Sequence, residues 1–444
     1  MKCSRFFLVL SSSSFLWAAT AQPSVPVVHH WPTDPPPCNG ASSLQACIDS
    51  ANSGDTVEID TNGPIAGSIS FAKALTLKAQ TGLAPVFSGN PTFIEADTDA
   101  TAEDQTITIE GLTLQSGHVS AVHLGTGRAT FQILNNTIES AFVGGITIGA
   151  DQAAGPVSFQ VSGNNVSVPD IQGPAMSVSG SAATAKGVVS ANTITMTPGN
   201  TNGSVGIFLQ NYFTGDLEAD VIANRVTSNQ FVVDGISVYQ GSAGTSTVRI
   251  LDNLVTKQSA PGIGVGAAGA IIAYAASGSI SIDVANNTVA DSNIGIAAQS
   301  IQSGTTVGSV ANNLLSGNFQ GLFIDSLGVV TNRNNLFFGN TFDVNGGTAG
   351  PGSIFNKDPV YVGSGDYHLQ PHSPAIDAGD DSAVPATDLD GNPITDLDGN
   401  PRIHGSHVDI GAYETAPEPD GVLGAVAGLS ALTALALQRR RLGL

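Results

Sequence analysis

Apolar and polar residues alternate along most of this chain in short runs, the period-two pattern of half-buried strands. The runs also repeat. "ATFQILNNTIES", "VSFQVSGNNVSV", "KGVVSANTITM", "EADVIANRVTS", "TVRILDNLVTK", "ISIDVANNTVA", "VGSVANNLLSG" and "VTNRNNLFFGN" align on one asparagine each: Asn136, Asn164, Asn192, Asn224, Asn253, Asn287, Asn313 and Asn335. Successive gaps are 28, 28, 32, 29, 34, 26 and 22 residues. A period in this range marks stacked architecture, because one unit cannot bury its own apolar face. One unit reads as one coil of a β-helix, with Asn supplying a left-handed corner and an amide that bonds to the next coil. Gly111 takes the same place one coil earlier. A second strand follows each corner ("AVHLG", "GITIG", "MSVSG", "GIFLQ", "GISVY", "IIAYA", "GIAAQ", "GLFID").

Before the repeats, "SSLQACIDSANSGDTVEID" predicts a short amphipathic helix over 42–52, capped by Ser42 or Ser43 and leading into a strand at Thr56–Ile59. The helix is expected to cover the N-terminal end of the stack. Residues 22–37 are proline-rich and read as a linker, where His29 and His30 are too few for a metal site.

The repeats resemble the right-handed parallel β-helix superfamily that includes pectate lyases and polygalacturonases. The resemblance implies an all-β fold over residues 38–356. It implies no particular activity, since that fold hosts lyases, hydrolases and passive adhesins.

Alternation sorts side chains by face. Four residues before each ladder Asn lies an outward position, where Asp220, Arg249 and Asp283 fall on consecutive coils. They read either as a catalytic acid pair around a substrate-binding arginine or as a surface ion-pair ladder. On the second strand, Phe208, Tyr239 and Tyr274 gather beside Gln210 and Gln299. Aromatic faces beside amides suit a neutral glycan, and equally suit stacking that shields the sheet. His118 and His123 stand on the outward face without a carboxylate at their level. Residues 32–416 contain no tryptophan, no polygalacturonase signature, and no carboxylate cluster with a basic partner of the kind a Ca²⁺-dependent lyase needs.

The ends speak for location. "MKCSRFFLVLSSSSFLWAATAQP" has a basic start, an apolar core and Ala19-Thr20-Ala21 as a cleavage site, predicting a signal peptide over 1–21. Its removal leaves Cys38 and Cys47, which form either a disulfide or two buried thiols. In residues 417–444, Pro417, Glu418 and Pro419 precede an apolar run that ends at Arg439, Arg440 and Arg441. This order resembles the PEP-CTERM sorting tails of Gram-negative bacteria. The resemblance implies a membrane sorting protease as partner and transient attachment to the inner membrane; a plain anchor is the alternative.

Of 15 Lys+Arg and 36 Asp+Glu, 10 and 34 lie within residues 22–416, so the body is strongly acidic. That disfavours nucleic acid as a partner.

From residue 357 the text changes to "KDPVYVGSGDYHLQPHSPAIDAGDD", a doubled DLDGNP and "VDIGAYE". Asp366–Leu369, Ser373–Gly379, Asp398–Arg402 and Asp409–Glu414 match the closing segment of bacterial surface proteins of the choice-of-anchor Q type, which residues 357–416 resemble. The extra copy at Asp388–Pro393 departs from that pattern. Asp388, Asp390, Asn392, Asp396 and Asp398 offer oxygens for Ca²⁺, although Pro393 and Gly399 break EF-hand spacing; the other reading is a turn, with Arg402 pairing to Asp409 or Glu414.

The sequence therefore points to an exported protein of the cell surface or extracellular space, structural or glycan-contacting. A polysaccharide lyase or hydrolase and a protein-binding adhesin are the rival readings.

Overall fold

The computed structural model describes residues 25–415 apart from 140–143, 153, 170–172, 181–182, 198–203, 229–232 and 258–268. The signal peptide, and with it Ala19–Ala21, lies outside the described residues, as does the tail with Pro417, Glu418, Pro419 and Arg439–Arg441.

The chain winds as a parallel β-helix. Twelve strands, from Val28–Trp31 to Val330–Arg333, stack in one parallel sheet. Each repeat carries three strands rather than two. A short strand such as Arg225–Ser228 follows the ladder asparagine, and a longer one such as Val233–Gln240 follows that. These form the second and third faces. Two early strands, Val86–Asp97 and Thr113–His123, run through both faces without a break. Inward positions hold Val, Ile, Leu and Phe, among them Phe87, Phe131 and Phe337, all fully buried in one continuous core. Burying alternate residues of every strand is the main favourable term, because no coil can cover its apolar face alone.

The asparagine ladder is continuous. The side-chain oxygen of Asn224 accepts from the N–H and amide of Asn192 at 3.0 and 2.9 Å, and that of Asn253 does the same for Asn224 at 2.9 and 3.0 Å. The pattern runs from Asn136 through Asn164, Asn287 and Asn313 to Asn335, all buried. The left-handed corner, however, belongs to the residue before: Asn135, Ala191, Ala223, Asp252, Asn286, Asn312 and Asn334 have φ between 49° and 60°. Gly111 pairs with that row, at φ 72°, and Leu112 fills the ladder position, its N–H donating to Asn136 Oδ1 at 3.0 Å. Two adjacent positions divide the labour. One turns the chain and the next satisfies buried amides.

The proline-rich segment is part of the stack. Val28–Trp31 pairs in parallel with Thr56–Ile59, so the sheet begins ten residues before Cys38. Helix Leu44–Ser50 packs against this end, capped by Ser43, whose side chain accepts from Ala46 N–H. Lys73 Nζ bonds to the helix's terminal carbonyls at Ile48 (2.7 Å) and Ala51 (2.5 Å). Cys38 and Cys47 are joined by a disulfide.

Residues 357–415 make one antiparallel pair, Tyr361–Gly363 with Asp366–Leu369, and then run back along the outside of the coils as a strap. The strap reads the left-handed corners one after another. Asn334 Nδ2 donates to Ala378 O at 3.1 Å, Asn312 Nδ2 to Asp380 O at 3.0 Å, and Asn286 Nδ2 to Asp409 O at 3.0 Å. Ile394 and Leu397 pack over Ala223 in the coils beyond.

Candidate functional site

Asp220, Arg249 and Asp283 do stack in register on consecutive strands of the twelve-stranded sheet. Asp220 and Arg249 make the ion pair of the ladder reading, and the strap covers it. Asp220 is 0% exposed, because the strap lies on it. Its carboxylate accepts from Arg249 Nε at 2.6 Å and Nη2 at 2.5 Å, and from Leu389 N–H at 2.8 Å. A bidentate guanidinium plus a backbone donor occupies both oxygens. Asp283 stays exposed and accepts from Ser309 Oγ at 2.8 Å, so only one carboxylate of the expected pair faces solvent. Glycosidic cleavage by the two-carboxylate route needs both. Asp220, held by Arg249, anchors the strap.

The doubled DLDGNP forms two copies of one turn. Asp388 Oδ1 accepts from the N–H groups of Asp390 (3.0 Å) and Asn392 (2.7 Å), and Asp396 Oδ1 from those of Asp398 (3.0 Å) and Asn400 (2.6 Å). Gly391 and Gly399 supply φ of 86° and 88°. The first aspartate of each copy therefore closes its own loop, and Asp396 Oδ2 also accepts from Glu414 N–H at 2.9 Å. Asp398 pairs with Arg225 at 2.8 Å and with His368 at 2.6 Å. Asp388 and Asp396 thus fold the two turns, and Asp398 ties the second one to the stack.

Behind the second turn, Arg402 enters a buried acidic pocket. Its Nε lies 3.3 Å from Asp252 Oδ1 and its Nη2 3.1 Å from Glu414 Oε1, with Asp409 and Gly411 carbonyls at 3.3 Å. Of the two expected partners Glu414 makes the ion pair and Asp409 contributes its backbone. Burial pushes Asp252 up to about 7 against the pull of Arg402, and pushes Glu414 up to about 8.

The third sheet carries the remaining candidates. Gln210, Tyr239, Tyr274 and Gln299 occupy one register column, and Phe208 lies in the column beside it. Tyr239 and Tyr274 stack at 5.7 Å with planes 14° apart, so each turns a ring face to the other. Tyr212, two residues beyond Gln210, adds a ring 5.1 Å from Tyr239 and tilted by 49°. It is 55% exposed. Alternation past the end of the strand places it on the Gln210 face, a signal present in "GIFLQNYF". Gln210 Nε2 donates to Ser179 Oγ at 2.6 Å, which holds its amide in one orientation.

No known protein-family model matches the sequence, and no curated protein matches it. Among solved structures, the chain is similar to pectate lyase Pel9A over 88% of its own length and 97% of that protein's, at 12% identity and a TM-score of 0.43. It is similar to a mutant of the PL6-family alginate lyase AlyGC over 85% and 59% of the two chains, at 13% identity and a TM-score of 0.26.

The histidines expected on the outward face divide. His123 is buried: its Nδ1 lies 2.9 Å from Thr98 Oγ1 and its Nε2 3.0 Å from Gly127 O, and burial lowers its pKa. It is a satisfied structural side chain. His118 packs edge-on against Phe93 with ring centroids 4.7 Å apart.

Proposed function

We propose that this protein is an exported, surface-attached β-helix that contacts a neutral glycan through the third-sheet column Gln210, Tyr239, Tyr274 and Gln299 and the adjoining Tyr212, without cleaving it. The observation that carries the reading is the continuous tyrosine row, at 5.1 and 5.7 Å, that ends in the exposed ring of Tyr212. An exposed aromatic face suits the C–H face of a pyranose, and the flanking amides suit its hydroxyls. Gln210 and Gln299 bracket the row at a coil spacing of about 5 Å, which fits an extended chain lying along the stack better than a small ligand in a cavity. Sealing of Asp220 beneath the strap supports a passive role. Export and attachment rest on Ala19–Ala21 and on the Pro417–Pro419 and Arg439–Arg441 tail.

The test is depletion of the full chain from solution by a panel of insoluble neutral and uronate glycans, with and without Ca²⁺. Retention on a neutral glycan should fall about tenfold in Tyr212→Ala and Tyr239→Ala, in line with loss of one aromatic contact of roughly 1–1.5 kcal/mol. It should be unchanged in Asp283→Asn. New reducing ends or unsaturated products that vanish in Asp283→Asn would establish catalysis instead. Intact mass of the secreted protein should show an N-terminus at Gln22 and loss of Arg439–Arg441.

A further inference from the structure

The first coil brings together three side chains with no part in the surface just described. Strand pairing sets His30 opposite Glu58, and Asp60 follows two residues later beside the end of the same edge strand, its N–H donating to Trp31 O at 2.7 Å. One ligand atom from each of the three residues lies within 4.8 Å of the others. His30 Nδ1 is 3.2 Å from Asp60 Oδ2 and 3.5 Å from Glu58 Oε2. The two carboxylate side chains are only 10% and 14% exposed.

We propose that His30, Glu58 and Asp60 form a binding site for a divalent transition metal of the zinc class, with one coordination position open to solvent.

Three arguments converge. The nitrogen–oxygen distances exceed the roughly 2.7–2.9 Å of a charge-assisted hydrogen bond. At 3.2 and 3.5 Å they bracket the edge of a tetrahedron with metal–ligand bonds of about 2.0–2.1 Å, which is about 3.3–3.4 Å long. His30 Nδ1 also lies 3.4 Å from Asp60 Oδ1. One imidazole with two carboxylates is a borderline donor set that suits Zn²⁺, whereas Ca²⁺ asks for six to eight oxygens. Thr33 Oγ1 donates to Asp60 Oδ2 at 3.0 Å and holds that ligand in place, and the backbone N–H of His30 donates to Asp34 Oδ2 at 2.7 Å, which fixes the main chain there. Lys78 Nζ lies 3.6 Å from Glu58 Oε1 and competes with a cation for that carboxylate. A bound metal would staple edge strand Val28–Trp31 to Thr56–Ile59 at the end of the sheet.

The experiment is calorimetric titration of the untagged, chelator-treated full chain with Zn²⁺ and, separately, Ca²⁺. Zn²⁺ should bind more tightly than Ca²⁺, and His30→Gln or Glu58→Gln should weaken Zn²⁺ binding at least about tenfold. Lys78→Met should tighten it severalfold, a gain that a misfolded variant could not show. His368→Gln, which removes a distant exposed imidazole, should leave this site's affinity unchanged. Full Zn²⁺ affinity in His30→Gln, equal or tighter binding of Ca²⁺, or weaker Zn²⁺ binding in Lys78→Met would each overturn the assignment.

Discussion

At the scale of single residues, neighbouring positions on one corner do different work. Asn224 is a relay: it accepts two donors from Asn192 and donates to Val189 O, Ile222 O and Asn253 Oδ1. Asn224→Ala strands the Asn192 N–H and amide in a dry interior, so unfolding by denaturant should show a loss of about 2–4 kcal/mol. Ala223, one position earlier, already carries φ 54° without glycine or asparagine. Replacing it with Gly relieves left-handed strain but adds chain entropy, and stability should change by less than about 1 kcal/mol. The ladder was legible because an asparagine recurs at the same place within each strand-like motif, once per coil. The corner was not, since Gly, Asn, Asp and Ala all occupy it.

At the scale of elements, the strap from Tyr361 to Glu414 covers Asp220 and the left-handed corners of the later coils. Its innermost contact sets one guanidinium, Arg402, among Asp252, Asp409 and Glu414, all buried. Asp252 and Glu414 are raised to about 7 and about 8, above their unfolded values of about 3.9 and 4.3. A raised carboxyl pKa means that the folded state binds more protons. Its contribution is complete below about pH 4 and is lost as pH rises through 7 to 8. Asp380 works the other way. The Arg333 hydrogen bond holds it down at about 2, so its contribution is present above about pH 4 and is lost as pH falls towards 2. Proteolysis of the strap should therefore be slower at pH 5 than at pH 9. Asp252→Asn and Glu414→Gln should flatten that difference. Arg402→Met should loosen the strap more at pH 8 than at pH 5, because protonation neutralises the acids it leaves behind.

At the scale of the whole molecule, a stack of coils transmits stability only between neighbours, so its ends decide where it frays. The N-terminal end is held by the Cys38–Cys47 link, helix Leu44–Ser50 and the Lys73 bonds to that helix. Reduction of the disulfide should raise amide exchange in Val28–Trp31 and Thr56–Ile59 first, and leave the coils around Asn253 protected. The strap reinforces the later coils, from the Asp220 level to the Asn334 level, while the coils around Gly111 and Asn164 rely on strand pairing and the ladder.

The fold and its repeat were written in the sequence, because period-two alternation and a recurring buried amide are local rules that each coil obeys on its own. So was the register of Asp220, Arg249 and Asp283. What those side chains face could not be read there. The strap that covers Asp220 lies 169 residues further along the chain, and the alternation of a strand reports which way a residue points but not what lies on it. The same limit hid His30 beside Glu58 and Asp60, since prolines made that segment look like a linker while its strand pairing closes the end of the sheet. The doubled DLDGNP changed most. Asp388 and Asp396 accept N–H groups of their own turns, which is local. Tertiary structure set Leu389 N–H on Asp220 and Asp398 beside Arg225, and so made the segment the fastening of a strap.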